Sequence, residues 1–355
     1  MKKSILFFAA CALFVMVGCE KDPKPENNTN DGTYAYVLNE GTWGGNNAEI
    51  SRLNIKDGTI EADWFSAANG RGLGDLAQDL VHYGNKLYAT VHTSNKVEVI
   101  DPATGKSLKQ IDMGNRGPRY IACHGGKIYV TCYDKTVVRI DTATYAIEAS
   151  CPLSGMQPEQ LCVLGEWMYV CNTWQYDENG NAIYDSTLSV VDIASFTEIM
   201  KLDIITNTAS QTHAYNPGRI KRNNKGEMVI ACAGDYYTVP AQTVVLNVDS
   251  SPTFSLYPIA VTNFDFYGND MYSYATTYDA QWNPAALFYH NETPILQSYS
   301  STLSNAYGIN VNPSNGDIFI CNSPYSENSD IYCFTKDGNE RWLVEAGVLA
   351  SKVVF

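Results

Sequence analysis

Five histidines, His82, His92, His124, His213 and His290, share no spacing that would assemble a nucleophile, a metal or a phosphate site. No G-x-S-x-G elbow, H-E-x-x-H pair or glycine-rich phosphate loop accompanies them. Eight mature-chain cysteines sit mostly inside apolar runs such as "YVTC", "MYVC", "VIAC" and "IFIC", without CxxC or Cys/His metal spacing. They are expected as buried thiols, with Cys321 and Cys333 the pair best placed if a disulfide forms. The residue types that remain are those of a binding surface. Trp43, Trp174, Tyr176, Tyr184, Tyr236, Tyr237, Tyr278, Trp282 and Tyr325 lie in polar segments among Asn and Gln. Rings supply contact area at low entropic cost, and the amides supply donors and acceptors. The competing expectation is that some of these rings only pin their own loops. His92 and His213 fall in the same segments, where either could bond a ligand or, beside an acid, serve a lyase-type enzyme. Arg71 and Arg116 stand in glycine-rich links of an acidic chain, kept for a ligand near a channel mouth or as ion-pair partners.

The N-terminus carries an address. "MKKSILFFAACALFVMVGC" has two lysines, an apolar stretch and a lipobox-like "MVGC", so residues 1–18 are expected as a lipoprotein signal and Cys19 as the lipidated residue. Ile5 to Gly18 is short for a membrane span. Residues 19–33, "CEKDPKPENNTNDGT", contain no packing run after Cys19 and are expected as a solvated tether. Loss of residues 1–18 removes Lys2 and Lys3 and no acid, which takes the net charge from −14 to −16. That charge disfavours nucleic acid as a partner.

The elements that must position the rings are strands. "KIYVTCYDKTVVRIDTATYAIEA" (127–149) holds two alternating apolar runs, a polar gap and an Asp-led turn. Similar units recur at Tyr36, Tyr88, Tyr129, Tyr169, Val229, Tyr272 and Phe319, at spacings of 52, 41, 40, 60, 43 and 47 residues. A period in the forties built of short strands indicates propeller blades. The fold class is therefore all-β: residues 34–355 form a seven-bladed β-propeller. The first unit lacks an inner strand, and "VLASKVVF" at the C-terminus is expected to supply it. Short turns such as "YGN" and "HGG" fall on one face. Long loops such as "NEGTWGGNNA" and "NTWQYDENGNAIYDST", with links such as "SAANGRGLGD", fall on the other. The aromatic residues go with the long loops, so function is expected there.

"IYVTCYDKTVVRIDTATYAIEA" and "KLYATVHTSNKVEVIDPATGKSLKQI" resemble the YVTN-type repeat of surface-layer and YncE-like seven-bladed propellers, over about residues 34–355. "YVLNEGTWGGNNAEISRLN" directly after a tether resembles the surface propeller lipoproteins of Bacteroidetes, which include the BtuG-type proteins of vitamin uptake. The resemblance implies a lipid anchor in the outer membrane, facing the cell exterior. It also implies capture of cobalamin or another corrinoid as a ligand rather than a cofactor, transfer to a TonB-dependent transporter, and no catalytic residues. The ligand contacts would come from Trp43, Arg71, His92, Arg116, Trp174, Tyr176, Tyr236, Tyr237, Tyr278, Trp282 and Tyr325. A surface adaptor for a glycan or a protein is the alternative, since sugars also stack on exposed rings.

Overall fold

The computed structural model describes residues 32–207, 209–210, 212–248 and 252–355. The signal, Cys19, all of the tether but Gly32 and Thr33, and the Asp249 turn residue lie outside the described residues. Seven four-stranded antiparallel sheets make up the propeller. From the axis outward, blade 1 is Ala350–Val354, Tyr34–Asn39, Glu49–Asn54 and Ile60–Glu61. Blade 2 is Ala77–Tyr83, Lys86–Val91, Lys96–Ile100 and Ser107–Asp112, and blade 3 is Pro118–His124, Lys127–Cys132, Thr136–Asp141 and Ile147–Pro152. Blade 4 is Pro158–Leu164, Trp167–Asn172, Thr187–Asp192 and Thr197–Asp203. Blade 5 is Pro217–Arg222, Met228–Cys232, Gln242–Asn247 and Thr253–Leu256. Blade 6 is Asn263–Tyr267, Asp270–Tyr278, Pro284–His290 and Thr293–Ile295, and blade 7 is Ala306–Val311, Ile318–Asn322, Asn328–Phe334 and Glu340–Val348.

Neighbouring blades cover both faces of each sheet, so the second strands are buried almost throughout, as in Lys127–Cys132 and Met228–Cys232. The fourth strands are largely exposed, as in Ser107–Asp112. The core is accordingly divided into seven apolar clusters, each between two adjacent blades. The repeat's tyrosines fill them: Tyr36, Tyr88, Tyr129, Tyr169 and Tyr272 are all buried. The Asp-led turns form as the sequence predicts. Asp141 Oδ1 accepts from Ala143 N–H (3.0 Å) and Thr144 N–H (2.6 Å), and Asp101 and Asp192 make equivalent bonds. The eight described cysteines are free thiols. Cys321 faces Ile331 and Cys333 faces Phe319 in the ladder, not each other.

The C-terminal run closes the ring: Val354 pairs with Tyr36, Val353 with Val37 and Lys352 with Leu38. Polar side chains stitch successive inner strands together. Asp79 Oδ2 accepts from Ile121 N–H (2.9 Å), Gln160 Oε1 from Ile220 N–H (3.1 Å) and Asp265 Oδ2 from Val311 N–H (2.9 Å). Asn310 Oδ1 accepts from Val353 N–H (2.8 Å). An inner strand has an unpaired edge toward the axis, and these acceptors satisfy it.

Three elements depart from the loops expected between strands. The link after blade 1 contains a helix, Trp64–Asn69, whose first N–H groups donate to Glu49 Oε1 from a neighbouring strand (Phe65, 3.0 Å; Ser66, 3.1 Å). Two small ribbons, Trp174–Tyr176 with Ala182–Tyr184 and Ile205–Asn207 with Thr212–His213, rise from the long-loop face.

Candidate functional site

Among the described residues, eight aromatic side chains stand more than one-third exposed. Trp43, Tyr176, Tyr236, Tyr237, Trp282 and Tyr325 belong to second-to-third strand loops, Tyr278 ends the second strand of blade 6 beside them, and only Trp167 opens on the short-turn face. The face with the long loops is thus the face with the rings. Trp43, Tyr176, Tyr236, Tyr237, Tyr278 and Trp282 stand at loops whose backbone is held by a short polar side chain.

Trp43 tops the 40–48 loop. Asp75 from the next link accepts from Gly44 N–H (3.0 Å), and Asn47 Oδ1 accepts from Thr42 N–H (2.9 Å). Asp177, Asp235 and Asp279 each open a loop in the same way. Asp279 Oδ1 accepts from Gln281 and Asn283 N–H (2.8 and 2.9 Å), and Asn283 Nδ2 donates to its other oxygen (2.8 Å). Asp177 repeats the set with Asn179 and Asn181, and Asp235 takes Tyr237, Thr238 and Val239 N–H. These bonds favour the carboxylates and hold all three acids below their ordinary range.

The rings form three groups. Trp43, His92 and Arg116 converge on one groove with Tyr133 and Asp134, enclosing about 380 Å³. His92 packs edge-on against Tyr133 (4.9 Å between ring centres). A Cβ on Gly117 would lie 2.9 Å from His92 Cε1, and its φ of +61° is left-handed, so the groove requires glycine there. Burial and the neighbouring Arg119 guanidinium hold the His92 imidazole below its usual 6.5. Arg116 pairs with Asp134 (3.0 Å) at the groove wall. In the second group, Trp174 meets Tyr176 edge-on (5.0 Å) and Tyr184 meets Tyr236 (5.9 Å). The third is Tyr278 against Trp282 (6.0 Å). Tyr237 and Tyr325 project separately. His213 lies in a ribbon, its Nδ1 3.4 Å from Ser186 Oγ.

Arg71 is placed elsewhere. Its Nη2 lies 2.7 Å from Oε1 of the fully buried Glu98, and its guanidinium covers the Phe65 ring at 5.2 Å. Lys96 pairs with the other oxygen of the same carboxylate (2.8 Å), so the buried acid is matched by two cations.

Sequence reasoning did not reach Tyr133, which lines the groove, or Arg119 and Glu159, which bond and pack against Tyr133. Arg119 makes a forked pair with Glu159 (2.7 and 2.9 Å) and lies over the Tyr133 ring (4.5 Å), while Tyr133 O–H donates to Glu159 (3.1 Å). A signal existed. "GPRY", "QPEQ" and "NPGR" open three successive inner strands with proline followed by polar residues at positions facing the channel.

The channel's other mouth, on the short-turn face, is larger, about 470 Å³, and is lined by the ends of inner strands. Blade splay produces such a funnel, and none of the exposed long-loop rings reaches it.

No protein-family model and no curated protein matches the chain. Among solved structures it is similar to hydrazine synthase from Kuenenia stuttgartiensis, with a TM-score of 0.54 and 14% identity over 92% of this chain and 87% of that one. It is also similar to streptogramin B lyase, with a TM-score of 0.51 and 11% identity over 77% of this chain and 83% of that one. Likeness at these identities establishes architecture. The chain is a seven-bladed β-propeller.

Proposed function

We propose that the protein is a lipid-anchored capture protein of the outer membrane, related to YncE-like and BtuG-type propellers. Its long-loop face binds cobalamin or another corrinoid and passes it to a TonB-dependent transporter. The reading is one of binding and transfer, without a catalytic step. The observation that carries it is the gathering of seven exposed rings on one face, interspersed with amides such as Asn115, Gln175 and Gln281. A corrin has a broad apolar body fringed with amides. A surface that combines ring contact with donors and acceptors satisfies both parts, where an apolar pocket would strand the amides. The direction of the chain agrees. Tyr34 enters blade 1 at the short-turn end, because Asn39 at the far end of that strand leads into the 40–48 loop. An anchor at Cys19 would therefore leave the ring-bearing face turned away from the membrane.

Cyanocobalamin should raise the thermal midpoint of the protein in a concentration-dependent way. Trp174→Ala should weaken that binding by more than about tenfold, or about 1.4 kcal/mol, with the unliganded midpoint unchanged. Absence of any cyanocobalamin response, with a response to oligosaccharides, would replace the corrinoid reading by the glycan adaptor.

A further inference from the structure

Beneath the long-loop face the axial channel narrows to a cavity of about 50 Å³, walled by inner-strand residues. That is room for a few water-sized groups. Its amides are oriented by the backbone. The Oε1 of Gln160 is taken by Ile220 N–H (3.1 Å) and the Oδ1 of Asn310 by Val353 N–H (2.8 Å). Their NH₂ groups are therefore the ends available to the cavity. The Tyr120 hydroxyl accepts from Gln78 Nε2 (3.3 Å), which leaves its own proton to donate. Arg219 brings a guanidinium to the same cavity and, among the described residues, has no salt bridge and no side-chain hydrogen bond.

The other cations of this region are matched. Lys221 pairs with Asp265 (2.9 Å), Lys352 with Asp79 (2.6 Å) and Arg119 with Glu159 (2.7 Å). Glu40 also lines the cavity, but its carboxylate accepts from Tyr307 O–H (3.1 Å) and makes no salt bridge to Arg219. Donors thus outnumber acceptors around one permanently charged, half-buried group that faces Glu40 but is held by no salt bridge, and a partly desolvated charge without a directly bonded partner is costly. We infer that this cavity binds a small anion, halide to formate in size, held by the Arg219 guanidinium with donors from Tyr120, Gln160 and Asn310. Those four residues come from blades 5, 3, 4 and 7, so the anion would tie four inner strands together at the axis. The site is separate from the ring-bearing face and does not depend on what that face binds.

Bromide is the probe. The protein is unfolded thermally in sodium gluconate, and gluconate, too bulky for the cavity, is exchanged for bromide at constant ionic strength. The midpoint should rise saturably by about 2–4 °C, and anomalous diffraction should place bromide at Arg219. Arg219→Gln should abolish the rise. At pH 8, Glu40→Gln keeps the shape of the cavity while removing its competing charge, and should lower the half-saturating bromide concentration about tenfold. Coincident bromide and gluconate series, bromide bound away from Arg219, or a rise that survives Arg219→Gln would each overturn the inference. If Arg219→Gln fails to fold, the Glu40→Gln arm decides alone, since unchanged or weaker bromide binding there also overturns it.

Discussion

Glu40 shows what a single buried carboxyl does to this molecule. It is nearly inaccessible, and burial raises its pKa from 4.5 to about 7 against the opposing pull of Ser351, Tyr307, Arg119 and Arg219. Between those two values the folded chain keeps a proton that the unfolded chain has released. Its contribution to stability is therefore fully present below about pH 4.5 and is lost as the pH rises to about 7, an effect on the order of 3 kcal/mol. Glu40→Gln has no charge to bury. Its stability relative to the parent should grow between pH 5 and pH 8 in denaturant titrations, and a constant difference across that range would show that Glu40 is ionised in the folded state throughout. The groups facing it come from four elements: Ser351 of blade 1, Arg119 of blade 3, Arg219 of blade 5 and Tyr307 of blade 7. None is expected to change charge between pH 5 and 8, so the pH dependence of the difference is assigned to Glu40.

The loops carry strain where they carry rings. Trp282 has a φ of 64° and Tyr236 a φ of 63°, a conformation that L side chains adopt at a cost of about 1–2 kcal/mol. Trp282 is 79% exposed, so burial does not repay that cost, and the Asp279 bonds hold the turn in place. Trp282→Gly should therefore stabilise the fold by up to about 1 kcal/mol while weakening ligand binding. A lower melting midpoint would show instead that the ring packs its own loop through Tyr278. The strands themselves were legible because their periodicity is local: "KIYVTCYDKTVVRID" alternates in sequence as it does in space. The Asp-x-x-x-Asn spacing of Asp177–Asn181 and Asp279–Asn283 was equally local, and marks the ring-bearing loops once it is noticed. The helix at Trp64–Asn69 was not legible, because its capping carboxylate, Glu49, comes from another strand. The first ribbon is closed by that local Asp177 turn and is tied to blade 3 by Lys135 Nζ to Gln175 Oε1 (2.6 Å). For the site, loop membership alone was enough to bring Trp43, His92 and Arg116 together. It left Arg71 between a ligand and an ion pair, and the structure shows it paired with Glu98, a buried acid that reads in sequence as an ordinary strand residue.

At the scale of the whole molecule, stability depends on closure, because each core cluster belongs to two blades and a ring opened at one seam exposes both. The seam between blades 7 and 1 is made by the C-terminal strand. Ala350 and Val353 sit in its apolar cluster, and Phe355 meets Phe319 at 5.1 Å between ring centres. Lys352 reaches across to Asp79 of blade 2 (2.6 Å), and the carbonyl of Phe355 bonds His82 (3.1 Å). Removing residues 348–355 would strip the ladder from Tyr36–Asn39 and uncover the cluster. It would also leave the buried Asp79 without its cation, which alone costs about 3–5 kcal/mol. Each lost apolar side chain adds about 1–2 kcal/mol, so the total is comparable to the 5–15 kcal/mol that holds a typical domain together. The truncated protein should therefore show no cooperative thermal transition by calorimetry, while its strands still give a β-rich spectrum at low temperature. The missing segment added as a separate peptide should restore the transition in a concentration-dependent manner, because the edge it pairs with is specific in register. A truncated chain that melts cooperatively at the parent's temperature would mean that the other six seams suffice, and that the C-terminal strand covers an edge without closing the ring.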